Sequence, residues 1–272
     1  MGMAQILATA GRSPRSAFGR SSVGDNGAVT SPASRPDAEP TAPDAEPTAP
    51  DAEPRWGLPD AVGSLAGFVA VSLLASYLGA RFLEIDPAGV AIVALLLGWV
   101  VLGGWPLLVS RRRGRGPRRD FRLSARPIDL GLGVLAAVSV LVLGLIYAVV
   151  LLLTTGEVPP AAVAEVAAGA DPVWLAVLAV LVAVGAPLVE EIHFRGLWWG
   201  ALRRRGLGPW PTLVVTAVLF AVIHGELLRL PVLVVAGLAI GYVRMVTDRL
   251  GPAVVAHIAI NTLGAIGLLA SA

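Results

Sequence analysis

Hydrophobic residues in this chain fall into long uninterrupted runs, with neither the strict alternation of a strand nor the one-sided stripe of a surface helix. The runs lie at about 61–80, 88–109, 129–153, 172–202, 211–226, 231–247 and 252–270. Most approach the ~20 residues that a helix needs to cross ~30 Å of hydrocarbon. The pattern predicts an all-α fold, a polytopic transmembrane helical bundle of about seven spans. The seventh span starts after Gly251-Pro252.

Residues 1–55 break with this pattern. They are Gly, Ser, Pro and Ala with scattered Arg, followed by a repeat that starts Asp-Ala-Glu-Pro at Asp37, Asp44 and Asp51. Proline at this density blocks helix and sheet pairing, and large apolar residues are too few to offset ordering entropy, so a disordered tail is expected. The start of the chain lacks the charged-then-apolar signature of a signal peptide, and Ile6 stands where a myristoylation signal needs Ser or Thr. The first span then serves as the insertion signal. The expected organisation is a tail over 1–55, N-terminal spans with an arginine-rich loop over 56–171, and a catalytic transmembrane core over 172–272.

Composition narrows the class. Hydrophobic residues make up 56% of the chain, more than a soluble core of this size carries. Cysteine is absent, which excludes disulfides, thiol catalysis and thiolate metal sites. Every basic residue is arginine, a bias that fits a GC-rich genome; the expected location is a bacterial plasma membrane.

The arginines also set an orientation. Arg111, Arg112, Arg113, Arg115, Arg118, Arg119, Arg122 and Arg126 separate the second and third runs, and Arg203 to Arg205 follow the fourth. The connections around Glu84 and Asp86, and from Glu157 to Asp171, are acidic. By the positive-inside rule the arginine loops and the N-terminus are cytoplasmic and the C-terminus lies outside. The basic loop reads as a topology determinant against lipid headgroups, with no nucleic-acid partner implied.

Candidate chemistry concentrates at one place. Pro172 to Val189 carries no charge, and then Glu190-Glu191-Ile-His193-Phe-Arg195 follows directly. A charge at the centre of a membrane helix costs about 2.5–3.5 kcal/mol on insertion scales, so such a cluster points to a working site within the membrane. In an α-helix Glu191 and Arg195 share a face as an acid-first i,i+4 pair, leaving Glu190 about 100° away to face other helices. His193, three residues on, is within reach of Glu190. Glu-x-x-His is also half of a di-iron motif, whose second half the chain lacks.

The other histidines, His224 and His257, lie in the fifth and seventh runs, spaced as Phe220-x-x-x-His224 and His257-x-x-x-Asn261. At ~1.5 Å per residue from the arginine or tryptophan markers, Glu190 and His224 sit about 20 Å deep and His257 about 12 Å, which permits convergence. A carboxylate, two imidazoles and an amide are the parts of a hydrolytic site. Asn261 also has a bland reading, a hydrogen bond to neighbouring backbone.

In order, Glu190-Glu191-x-x-x-Arg195, Phe220-x-x-x-His224 and His257-x-x-x-Asn261, with Gly237, Gly241, Tyr242 and Thr247 before the last, closely resemble the motifs of the CPBP family. These are the CAAX-protease and bacteriocin-processing membrane proteins, also called Abi, relatives of the type II CAAX prenyl endopeptidase. The resemblance covers about 172–262 and implies an intramembrane endopeptidase acting on a membrane protein or peptide substrate. It implies that Glu190 and His224 activate water, His257 and Asn261 stabilise the oxyanion, and Glu191, Arg195 and Phe220 support them. Members are described both as zinc enzymes, for which the ligands here would be Glu190, His224 and His257, and as metal-free glutamate proteases. The absence of an HExxH-type pair favours the metal-free form. His193 and the acidic tail depart from the family pattern. Two other classes stay open: an ion-coupled transporter using the same polar residues, and a non-catalytic immunity or binding protein. Substrate and oligomeric state are not legible at this stage.

Overall fold

A computed structural model describes residues 53–158 and 160–270. The tail expected over 1–55 lies outside these residues except at its end. There Arg55 donates its backbone N–H to the Arg113 carbonyl at 2.7 Å.

The described residues are helical, without strands. The elements are α1 (Leu58–Phe82), α2 (Pro87–Arg113), the short α3 (Pro117–Asp120), α4 (Ile128–Thr155), the short α5 (Ala162–Ala167), α6 (Pro172–Arg204), α7 (Pro209–Ile223), α8 (Leu230–Thr247) and α9 (Gly251–Ala270). Six candidate spans and the shorter apolar α7 match the seven runs. The fifth run was expected to reach 226, but α7 stops at Ile223 and Gly225 takes φ +69°, which glycine adopts without a Cβ penalty. Local sequence explains most starts: Asp86 and Asp171 cap α2 and α6 by accepting from Ala88 N and Val173 N, with Pro87 and Pro172 at the first position.

Two spans are not plain α-helix. α2 widens to π geometry over Val100–Gly104, and α6 does so over Leu181–Gly185 and again over Ile192–Trp198. In the first two cases a proline follows closely, Pro106 and Pro187. A proline ring clashes with the carbonyl four residues back, and the wider turn relieves that clash.

Polar contacts tie the connections into two ends. At one end Arg204 donates to the Trp56 carbonyl at 2.7 Å and stacks on its ring at 3.5 Å, while Asp120 accepts from Trp56 Nε1 at 2.9 Å. The α8–α9 turn joins this end through Leu250 N to Arg122 O and Gly251 N to Ser124 O. Buried Asp129 accepts from Arg249, and these hydrogen bonds hold the Arg249 guanidinium above its ordinary range. This is the arginine-rich end. At the other end Asp86 accepts from Asp171 N at 2.9 Å, and Tyr147 donates to the Leu228 carbonyl at 2.7 Å.

Apolar clusters of buried residues fill the bundle. Trp56, Phe121, Phe194, Leu197, Trp198 and Phe220 pack toward the arginine-rich end, and Ala88, Ile92, Leu175 and Leu178 toward the other. Small residues join α4, α8 and α9 through Ala136, Ala236, Ala253 and Ala256. Close approach through small residues is how helices associate where no hydrophobic drive exists. Outward-facing Leu135, Leu145 and Leu153 on α4 are exposed, as a lipid-contacting face requires.

Candidate active site

Glu191 and Arg195 are fully buried and bonded, Arg195 Nη1 donating to Glu191 Oε1 at 2.9 Å. The pair forms although the backbone from Ile192 on is π-helical, so the simple 100° arithmetic does not apply there. Arg195 Nη2 donates to the Gly237 carbonyl at 3.0 Å, and its guanidinium lies 4.8 Å from the Phe220 ring centroid. Gly237 is required here: a Cβ would stand 2.9 Å from the Ala217 Cα across the α7–α8 contact.

His257 comes in from α9 and sits between the two carboxylates. Its Nδ1 lies 2.8 Å from Glu191 Oε1, and its Nε2 faces Glu190 Oε2 at 3.8 Å, beyond hydrogen-bonding distance. Because a carboxylate accepts at Nδ1, that nitrogen carries the proton. Phe220 packs edge-on to both imidazoles, 4.7 Å from His224 and 5.4 Å from His257 between centroids. His224 itself is anchored by Nδ1 to the Phe220 carbonyl at 2.7 Å, an i,i+4 contact that leaves Nε2 available.

Glu190 differs from its neighbour. Its side chain keeps 19% exposure and makes no hydrogen bond among the described residues, and its buried Oε2, like that of Glu191, has no partner. Native structures rarely leave such an oxygen unpaired. Glu190 lines a cavity of about 620 Å³ together with His224 and Asn261, and much of its wall is apolar, including Leu95, Leu178, Leu233 and Ile260. The cavity occupies the half of the bundle away from the arginine-rich end: it touches α2 only at Ala91 and Leu95, and α9 only from Ile260 onward. Buried His257 is not in its wall.

Asn261 donates from Nδ2 to the Val182 carbonyl at 2.9 Å, the bland reading made concrete. The π turn explains why that carbonyl needs a donor. Ala186 N–H bonds Leu181 O in the i,i+5 register, so Val182 O falls to residue 187, a proline with no N–H. The amide retains a second N–H for the cavity that Asn261 lines.

His193 is not part of this group. It is fully buried, with Nδ1 3.2 Å from Ser64 Oγ and Nε2 accepting from Trp198 Nε1 at 3.0 Å. Although Glu190 was within reach in sequence, the ring makes a helix-to-helix contact to Ser64 on α1, its orientation set by the Trp198 donor. No group of three or more His, Asp or Glu gathers at metal-binding geometry among the described residues.

Sequence reasoning missed the polar mouth of the cavity. Glu226 and Arg229, one turn past His224, also line it and pair with each other at 3.2 Å. Their i,i+3 spacing beside a site histidine was a usable signal.

Comparison with curated proteins and with solved structures gives no match. A family model described as "Type II CAAX prenyl endopeptidase Rce1-like" matches residues 172–263, the stretch that holds Glu190, Arg195, His224, His257 and Asn261. Over those residues this chain is similar to that family.

Proposed function

We propose that the protein is an intramembrane endopeptidase that hydrolyses a peptide bond of a membrane-associated polypeptide, of the CAAX-tail or processed-peptide kind. The observation that carries this reading is the contrast between adjacent carboxylates. Both keep a buried Oε2 without a hydrogen-bond partner, but Glu191 Oε1 is bonded to Arg195 and His257, whereas the Glu190 side chain makes no hydrogen bond among the described residues and lines a cavity that it shares with His224. A base kept free of partners and next to an imidazole is poised to take a proton from water.

In this mechanism Glu190, helped by His224 Nε2, deprotonates a water that attacks the scissile carbonyl. The new oxyanion accepts from His257 Nε2–H and from the second N–H of Asn261. His257 then donates from both nitrogens, to Glu191 and to the oxyanion, as an imidazolium. That charge makes the group of Glu190, Glu191, Arg195 and His257 neutral overall, an economical state for a buried cluster. The proton taken by Glu190 passes to the leaving amine as the carbon–nitrogen bond breaks. Every step uses side chains of this chain, and none passes through a metal. The arginine-rich end is taken as cytoplasmic, in keeping with the positive-inside rule.

The test is cleavage of a membrane-peptide library by detergent-purified wild type and Glu190→Gln, with and without a strong chelator, products read by mass spectrometry. Cleavage by wild type that resists chelation and is lost in the variant is expected. Equal products from both proteins would exclude Glu190 as the base, and loss on chelation would exclude the metal-free mechanism.

A further inference from the structure

The arginine-rich end holds a second cavity, of about 470 Å³, lined by Arg115, Arg119, Arg122 and Arg204 with Asp120 and Glu53 as its acids. At ~1.5 Å per residue Arg204 lies about 20 Å along α6 from Glu190, and this cavity shares no wall residue with the one that holds Glu190. Fixing a membrane topology requires arginines in the right loop, in any arrangement. Here they come from the turn after α2, the segment through α3 and the end of α6, and they converge on one hollow.

The guanidinium groups are placed by the fold. Arg115 stands between two glycines that the turn requires: a Cβ on Gly114 would meet Asp120 and Trp56, and Gly116 takes φ +92°. Arg204 lies on the Trp56 ring with Nη2 bonded to the Trp56 carbonyl, which leaves Nε and Nη1 without a hydrogen bond among the described residues. Arg122 holds φ +54°, a left-handed conformation that a Cβ disfavours, and its carbonyl is fixed by Ser124 N at 2.7 Å and Leu250 N at 3.0 Å. It forms an ion pair at 3.2 Å with Asp248, the other non-glycine residue with positive φ among the described residues. Such conformations persist where a side chain has to be aimed.

The acids do not cancel this charge. Asp120 is engaged by the wall, its Oδ2 accepting from Trp56 Nε1 at 2.9 Å, from Ser110 Oγ at 2.5 Å and from Arg115 N at 3.2 Å. Four guanidinium groups against two carboxylates leave the hollow cationic. Several donors from separate directions suit an anion with more than two oxygens, and guanidinium matches phosphate in pairs of N–H bonds.

We propose that this cavity binds a phosphate group, gripped by Arg115, Arg122 and Arg204. An anionic lipid headgroup and a free phosphate offer the same chemistry, and either one ties the turn after α2 to the end of α6. The inference is independent of the peptidase reading.

The experiment uses the full chain in neutral detergent. Inorganic phosphate is titrated against chloride at constant ionic strength by calorimetry, and phosphatidic acid is compared with phosphatidylcholine in mixed micelles by the rise in denaturation midpoint. The proteins are wild type, Arg115→Gln/Arg122→Gln, Arg122→Gly, and Arg111→Gln/Arg112→Gln, which removes two charges outside the cavity wall. Wild type should bind at least one phosphate probe over its comparator, and the Arg115/Arg122 variant should weaken that binding at least about tenfold, the loss of one charge-assisted contact. The Arg111/Arg112 variant should weaken it less than about threefold, because salt screens distant charges. Arg122→Gly relieves the left-handed turn, so it should lose about tenfold in affinity while the unliganded protein keeps or gains stability. That outcome separates a lost ligand from a lost fold. Binding of phosphate alone assigns a soluble ligand and binding of phosphatidic acid alone a lipid headgroup, and each supports the site. Binding of neither probe, an affinity that Arg115→Gln/Arg122→Gln leaves unchanged, or an equal loss in Arg111→Gln/Arg112→Gln would overturn it.

Discussion

Removing the Glu191 carboxylate should destabilise the protein far more than removing that of Glu190, although the two are sequence neighbours. Glu191 Oε1 accepts from Arg195 at 2.9 Å and from His257 at 2.8 Å, and neither Glu191 nor Arg195 has any exposed surface. At an effective dielectric of about 20, opposite charges at this separation attract by roughly 6 kcal/mol, of which desolvation has already cancelled a part. In Glu191→Leu the guanidinium keeps only the Gly237 carbonyl and the Phe220 ring, and a buried charge without its counter-ion costs about 3–5 kcal/mol. The double variant Glu191→Leu/Arg195→Leu removes the orphan charge, so it should be at least about 2 kcal/mol more stable than Glu191→Leu alone, even after losing the bond to Gly237. Reversible denaturation in mixed micelles, on wild type, both singles and the double, measures the coupling. A cost below about 1 kcal/mol for Glu191→Leu, or a double variant equal to the sum of the singles, would refute the assignment of Glu191 as the counter-ion.

Further outcomes follow from the same geometry. Glu190→Gln should shift stability by less than about 1 kcal/mol, or raise it, because an unpaired buried oxygen is replaced by a neutral amide; the denaturation assay reads this beside the loss of cleavage. Pro187→Ala supplies an N–H to Val182 O, so it should release Asn261 and lower kcat about tenfold to a hundredfold while the fold keeps its stability; an unchanged kcat would show that Asn261 needs no such anchor. His193→Phe should cost about 1–3 kcal/mol because Trp198 Nε1 loses its acceptor and Ser64 Oγ loses the ring N–H it accepts, with kcat of the folded enzyme unchanged, and a selective fall in kcat would contradict its structural role. Gly237→Ala should lose about 1–3 kcal/mol by pushing α7 from α8, and a neutral result would mean that the helices part freely at Ala217.

The spans were legible because lipid demands long apolar runs, and their grouping by arginine loops carried through to a shared end where Trp56, Arg122, Arg204 and Arg249 meet. The motif residues Glu190, His224 and Asn261 share a cavity wall and His257 lies beside Glu190, as spacing and depth permitted. What the sequence hid lies in backbone register and in partners remote along the chain. Helical periodicity assumes the α turn, so the π segments at Leu181–Gly185 and Ile192–Trp198 could not be read from spacing, although Pro187 hinted at the first. The bond of His193 to Ser64 spans 129 positions, and no local pattern marks it. Short-range polarity at Glu226 and Arg229 was visible but has meaning only once both are seen in the wall that holds Glu190.

The most direct measurement of the central claim is single-turnover cleavage in water enriched in heavy oxygen, by wild type and by Glu190→Gln protein shown to be equally stable. Attack by a water that Glu190 activates predicts heavy oxygen in the new carboxyl terminus from wild type and no product from the variant. Product from the variant at the wild-type rate, or a new terminus free of label in the first turnover, would contradict it.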